Sequence, residues 1–225
     1  MSDVTAAMRA SSPAASPKAE PAPSRRTQAE RRAATIERLV DASIAVLAES
    51  GYAGAGVKAI CDRAGVSQGA LFRHFETRLE LLVHVVDAIG ARNIESFMRA
   101  AGITDAPWTL DRLDDFVRVL RDVSRSPTHA AWREVVAAAR IHSDLADAVG
   151  AAVARFEAAI IHMVELGLPG TREQTLETVT IVLSIMHMFD SEALTVTVKP
   201  NPEIEAARVA WATRVLSELY ARRAS

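Results

Sequence analysis

Apolar residues recur along most of this chain at intervals of three and four, the spacing that gathers side chains on one face of a helix. Ile36, Leu39, Val40, Ile44 and Leu47 form the first stripe. It opens at Thr27-Gln28-Ala29-Glu30, which has the form of a capping box. It closes at Gly51, which can take the left-handed conformation that ends a helix. A short helix over about 57–64 turns Val57, Ile60 and Cys61 inward and breaks at Gly65-Val66, and Ser67 caps a third helix running to about His74. Thr77-Arg78-Leu79-Glu80 is a second capping box, opening a long helix marked by Leu79, Leu82, Val86 and Ile89 and running to about residue 101. Two short helices joined by a tight glycine-containing turn and flanked by longer ones make a helix-turn-helix in a small bundle.

Beyond Gly102 the helical pattern continues without a repeat, over about 109–126, 128–141, 143–166, 171–193 and 202–223. Pro127 closes the first of these. Thr171-Arg172-Glu173-Gln174 is a third capping box, and Asn201-Pro202 is an N-cap followed by proline at the first helical position. Leu194 to Val198 alternates like a strand; with no partner strand evident, it reads as a frayed helix end or an extended loop. Residues 1–24, rich in Ala, Ser and Pro and without apolar periodicity, are expected to be a disordered tail.

Charge changes this picture only slightly. The chain of 225 residues carries a formal net charge of −2, against a generic nucleic-acid coat protein. Residues 25–80 nevertheless hold nine Lys/Arg against seven Asp/Glu, a sign that suits a DNA-facing N-terminal part. A single cysteine, Cys61, excludes an intrachain disulfide framework, and burial on its helix makes it a structural thiol. No continuous apolar run reaches the roughly 18 residues of a membrane span, and the first residues lack the apolar core of an export signal, so a soluble, cytoplasmic protein without membrane association is expected.

The segment Gly51 to Leu82, GYAGAGVKAICDRAGVSQGALFRHFETRLELL, resembles the DNA-binding signature of the TetR (tetracycline-repressor-like) family. Gly51-Tyr52, Val57, Ile60, Ala64-Gly65-Val66-Ser67, Gly69, Leu71, His74-Phe75 and Leu81-Leu82 carry the likeness, which extends over residues 30–85. It implies an all-α protein: an N-terminal three-helix helix-turn-helix DNA-binding domain and a C-terminal helical ligand-binding and dimerisation domain. The division expected is a tail over 1–24, the DNA-binding domain over 25–80 with the connecting helix starting inside it (77–101), and the effector domain over 102–225.

A recognition helix must enter the major groove with an unobstructed first turn. Ser67-Gln68-Gly69-Ala70 meets that requirement; Gln68 can pair with adenine, and Arg73 reaches guanine or a phosphate. Leu71 and Phe75, four apart, anchor the helix to the bundle. The resemblance puts Phe72, Arg73, His74 and Arg78 at phosphates. Phe72 stands where tyrosine is usual and lacks the hydroxyl; Arg78 replaces lysine and keeps the charge. Ala55-Gly56 replaces the usual Thr/Ser pair, leaving Gly56 and Val57 to offer backbone N–H groups at a helix N-terminus. Arg25, Arg26, Arg31 and Arg32 form a basic arm suited to phosphates or a minor groove, although such a run also fits a solvated helix start.

By resemblance, the last two helices pair with their copies in a homodimer, with Val179, Leu183, Trp211, Val215 and Leu219 as interface candidates. Two-fold symmetry implies a near-palindromic double-stranded DNA operator with recognition helices roughly 34–36 Å apart. Trp108, Phe116, Trp132, His142, Phe156, His162, Met163, Met186, His187 and Asp190 are candidates to line a cavity for an unknown small-molecule effector. Each Met and aromatic fits a packed core equally well, and His162 and His187 also fit hydrogen-bonded core histidines. His187 with Asp190 and His162 with Glu165 are metal-type pairs, but neither completes a ligand set, so no metal is expected. No phosphate loop, nucleophile elbow or cofactor motif occurs, which argues against an enzyme. The expected function is ligand-responsive repression. The alternative is a DNA-binding regulator without a small ligand, controlled by a protein partner or by abundance.

Overall fold

The computed structural model describes residues 27–100 and 109–224. Arg25, Arg26 and Trp108, named above, lie outside the described residues. Within them the chain forms α1 (Gln28–Gly54), α2 (Val57–Ala64), α3 (Gln68–Leu71), α4 (Arg78–Ala100), α5 (Leu113–Ser124), α6 (Pro127–Ala139), α7 (Ser143–Gly167), α8 (Arg172–Val196) and α9 (Pro202–Ala224), with no strand among them. The alternating stretch after Leu194 continues α8 to Val196 and then turns.

Capping works largely as the sequence dictates. The Thr27 hydroxyl accepts from Glu30 N–H while the Glu30 carboxylate accepts from Thr27 N–H, and Thr171 and Gln174 repeat the exchange at α8. The middle box closes on one side only. Thr77 Oγ1 accepts from Glu80 N–H at 3.0 Å, but the Glu80 carboxylate accepts from Glu76 N–H instead of from Thr77. Gly51 breaks α1 at φ 68°, ψ 179°, a region open essentially to glycine, and one more helical turn follows the kink. Gly65 ends α2 at φ 63°.

Two apolar cores result. The first packs α1 to α4 against α6 and the N-terminal half of α7: Leu39, Leu47, Ile60, Leu71 and Leu82 meet Ala131, Val135, Leu145 and Val149. The second joins the far end of α4 to α5, α8, α9 and the C-terminal half of α7, through Phe97, Leu120, Ile160, Val182, Phe189 and Leu216. Packing therefore carries the first core past residue 102, because α6 and the start of α7 lie back against the helix-turn-helix bundle.

By length and mean composition alone α8 is apolar enough to cross a membrane, although no continuous apolar run of that length lies within it. Asp190 and Glu192 interrupt its apolar pattern. Val179, Val182, Ile185, Met186 and Phe189 are nevertheless buried among neighbouring helices, so α8 is the central helix of the second core.

A polar seam crosses that core. Glu192, 1 % exposed, accepts from Arg121 Nε at 2.6 Å, Arg125 Nη2 at 2.7 Å and Arg208 Nη1 at 3.1 Å. Glu205 shares Arg121 and Arg125, so one network ties α5, α8 and α9 together. Burial pushes the Glu192 carboxyl up, but the hydrogen bonds from Arg121, Arg208 and Arg125 outweigh it and hold the group below the usual carboxylate range.

Candidate nucleic-acid interface and effector cavity

The candidate reading head is short. Ser67 Oγ accepts from Ala70 N–H at 3.1 Å and starts α3, which is helical only over Gln68–Leu71. The chain then turns through His74, whose N–H and that of Phe75 both reach Leu71 O, so the helix expected to run to His74 ends a turn early. Leu71 and Phe75 are buried and fix this unit to the bundle. Ser67, Gln68, Gly69, Phe72 and Arg73 are exposed, and Ala70 is half-buried. The Phe72 ring, 47 % exposed, projects as an apolar side chain beside Gln68 and Arg73 on a surface otherwise open to polar contact.

Three candidates are placed differently from the sequence expectation. Gly56 N–H is already bonded to Gly54 O at 2.8 Å, in the tight turn made by Ala55, and is not free for an anion. The unshared N–H groups of that helix start with Val57, since an α-helix leaves its first turn of donors without partners. Arg78 does not extend outward. Its Nε donates to Ala55 O at 2.9 Å, its Nη2 donates to Tyr52 O at 2.8 Å, and its guanidinium lies over the Tyr52 ring at 4.6 Å. It clamps the end of α1 to the start of α4. His74 is half-buried, and its Nδ1 has no hydrogen-bond partner. Arg31 and Arg32 lie exposed in the first turns of α1.

The clamp continues into the other half of the molecule. Tyr52 N–H donates to Glu134 Oε2 of α6 at 3.2 Å, and the Tyr52 ring stacks obliquely on His142 at 5.1 Å. A side chain at Gly51 would meet Glu134 Oε2 at 2.9 Å. The kink of α1 is thus held from both sides, by Arg78 and by Glu134. Cys61 is buried, and burial raises its thiol pKa, as suits a structural residue.

A cavity of about 100 Å³ lies between α4, α6, α7 and α8. Of the candidates from the sequence, Trp132, Phe156, Met186, His187 and Asp190 line it. Phe116 and Met163 do not; they are buried in the second core, Phe116 edge-on to Phe97 at 5.8 Å. His142 and His162 are exposed and lie outside the lining. Leu183, expected at a dimer interface, lines the cavity, while Val179 and Leu219 are buried inside the protomer, in the second core that α8 and α9 form around α5. Trp211 is exposed and Val215 half-buried.

Sequence reasoning missed His129, Asn93 and Glu157 in the lining. His129 and Asn93 are each only 5 % exposed. His129 Nε2 comes within 2.7 Å of Asp190 Oδ1, but not along a direction that makes a hydrogen bond. Both His129 ring nitrogens and Asp190 Oδ1 therefore lack a hydrogen-bond partner. Asn93 did carry a signal, a polar residue four positions from both Ile89 and Phe97 on the inner face of α4. Among the described residues no group of three or more His, Cys, Asp or Glu is arranged to hold a metal ion.

The family model described as bacterial regulatory proteins, tetR family, matches residues 39–85, from the middle of α1 into α4. An HTH-type transcriptional regulator of Mycobacterium tuberculosis is 34% identical over 193 residues, 85% of this chain and 97% of the relative. The HTH-type transcriptional regulator CymR of Pseudomonas putida is 51% identical over 61 residues, 27% of this chain and 30% of CymR. The crystal structure of a TetR-family regulator from Mesorhizobium loti superposes with a TM-score of 0.69 at 18% identity, over 85% of this chain and 97% of that one, and so shares the fold.

Proposed function

The chain belongs to the TetR family of transcriptional regulators, which bind DNA, usually act as dimers and are not enzymes, and on that premise we propose that it is a cytoplasmic repressor released from its operator by a small, largely apolar effector. It binds a near-palindromic site as a homodimer. Gln68 reads a base edge, while Arg73, His74, the exposed start of α1 and the Val57 end of α2 meet phosphates. Ser67, Gly69 and Ala70 keep the approach open, and Phe72 supplies apolar contact. Arg78 acts by fixing the bundle that presents them.

One observation carries the effector step. Helix α6 gives His129 and Trp132 to the cavity and Ala131 and Val135 to the core beneath the helix-turn-helix. A ligand that displaces α6 alters the support of the reading head, and differential affinity for two arrangements is what linkage requires. The dimer face is the exposed apolar surface of α8 and α9: Leu176, Leu194, Ile204 and Trp211, with Val215 at its edge.

The test is selection of genomic fragments by the purified protein, followed by a ligand screen on the recovered operator. A single palindromic motif whose retention falls on addition of a small molecule supports the proposal. A motif that no small molecule releases favours control by a protein partner or by abundance. Recovery of no motif removes the reading-head assignment.

A further inference from the structure

We propose that the effector is a compact organic cation, an apolar body of about one ring ending in a protonated amine that sits at Asp190. The inference rests on the effector reading above and specifies its chemistry.

The charge of the lining is one-sided. Asp190 and Glu157 contribute carboxylates, and no lysine or arginine lines the cavity. The Asp190 side chain is 23 % exposed, and its Oδ1 lies 2.7 Å from His129 Nε2 but accepts no hydrogen bond from it in that orientation. An ionised carboxylate only accepts, and a buried acceptor without a donor is costly, so the ligand best suited to the site brings N–H groups. Arg133 reaches Asp190 with its charge but not with its N–H groups, one of which is committed to Ser124 O at 2.7 Å. An anionic ligand would meet two carboxylates. A purely apolar one would leave Asp190 Oδ1 as it stands.

The walls fit the same ligand. Trp132 and Phe156 supply aromatic faces, which attract a cation as well as an apolar body. The Asn93 amide, inside the same wall, offers a carbonyl oxygen as a second acceptor. Size sets the upper limit. An apolar cavity of about 150 Å³ admits benzene, so about 100 Å³ here takes a single ring with modest opening of the walls.

The test compares benzylamine, benzyl alcohol and benzoate, one ring with three end groups, by calorimetric titration into the full-length protein. Benzylamine is expected to bind at least tenfold more tightly than benzyl alcohol, with no binding of benzoate. Asp190→Asn is expected to abolish that preference while keeping benzyl alcohol binding, which also reports that the variant is folded. Glu157→Gln, at an exposed position, is expected to weaken benzylamine about two- to threefold and to reduce its salt dependence. Equal or tighter binding of the alcohol or the benzoate overturns the cation, as does a preference that survives Asp190→Asn. If either neutral or anionic ring binds and also releases the operator, the cation falls and the effector reading stands. If no ring binds, the cation falls, and the operator-release screen decides the effector reading by itself.

Discussion

The two cores are built differently. Beneath the helix-turn-helix the buried residues are almost all apolar, and the only buried polar side chain on α1, Ser43, satisfies itself on Leu39 O. The second core has the Glu192 seam through it, with three guanidinium groups on one buried carboxylate. An apolar core tolerates small repacking at modest cost, whereas a buried ionic network fixes one arrangement and fails when a member is removed. The contrast places geometric freedom near the DNA-facing bundle and rigidity in the half that carries the α8 and α9 surface.

The largest effect should come from Glu192→Ala, which leaves Arg121, Arg125 and Arg208 around an empty position. A loss of about 3–5 kcal/mol is expected in urea denaturation. The seam is also acid-sensitive. Because the folded Glu192 carboxyl is held low, its stabilisation is complete above the unfolded pKa and disappears as pH falls through the folded one. Thermal midpoints of the wild type and Glu192→Gln should therefore differ at neutral pH and converge in acid. A constant gap would mean that the charge is not what stabilises the seam.

Gly51→Ala comes next, expected to cost about 1–3 kcal/mol because alanine is strained at the kink and its Cβ meets Glu134. It should also weaken operator binding, since the kink anchors the bundle; unchanged affinity by fluorescence anisotropy would separate the kink from the reading head. Gln68→Ala should cost about 1–3 kcal/mol on the selected operator and almost nothing on random DNA. Equal losses on both would remove its base-reading role. The smallest change is expected from Arg78→Lys. Losing the fork on Tyr52 and Ala55 should lower stability by about 0.5–1.5 kcal/mol and leave the salt dependence of DNA binding unaltered. The charge-removing Arg78→Gln should likewise leave that slope unaltered, and a slope smaller by about one in that variant would instead put this side chain on a phosphate.

Helix positions, caps and the buried Leu71–Phe75 anchor were legible in the sequence because each depends on neighbours within a few residues. Arg78 was not. Its charge suggested a phosphate, but its partners, Ala55 O and Tyr52 O, are carbonyls more than twenty residues away that become available only once α1 kinks. The cavity was half legible for a related reason. Periodicity places Phe116, Phe156, Met163 and Met186 on inner faces without saying which meet other side chains and which meet space. His129 was hidden because it sits in the first turn of α6, beside Pro127 and the Ser126 cap, where a polar residue draws no notice. Leu183 could be assigned to a face of α8, but that helix is apolar almost all round, so the sequence offered no way to choose the neighbour.

The double service of α6 bears on how such a protein can change over generations or in a laboratory library. His129 and Trp132 share a helix with Ala131, Val135 and the Glu134 latch, so mutations there that shift the helix would alter sensitivity and DNA affinity together. Phe156 and Glu157 approach the same cavity from the part of α7 beyond its first-core residues, and His187 approaches from α8, which gives none to that core. New chemical specificities should therefore arise more readily by diversification at those three positions, with α6 left as the inherited part of the sensor.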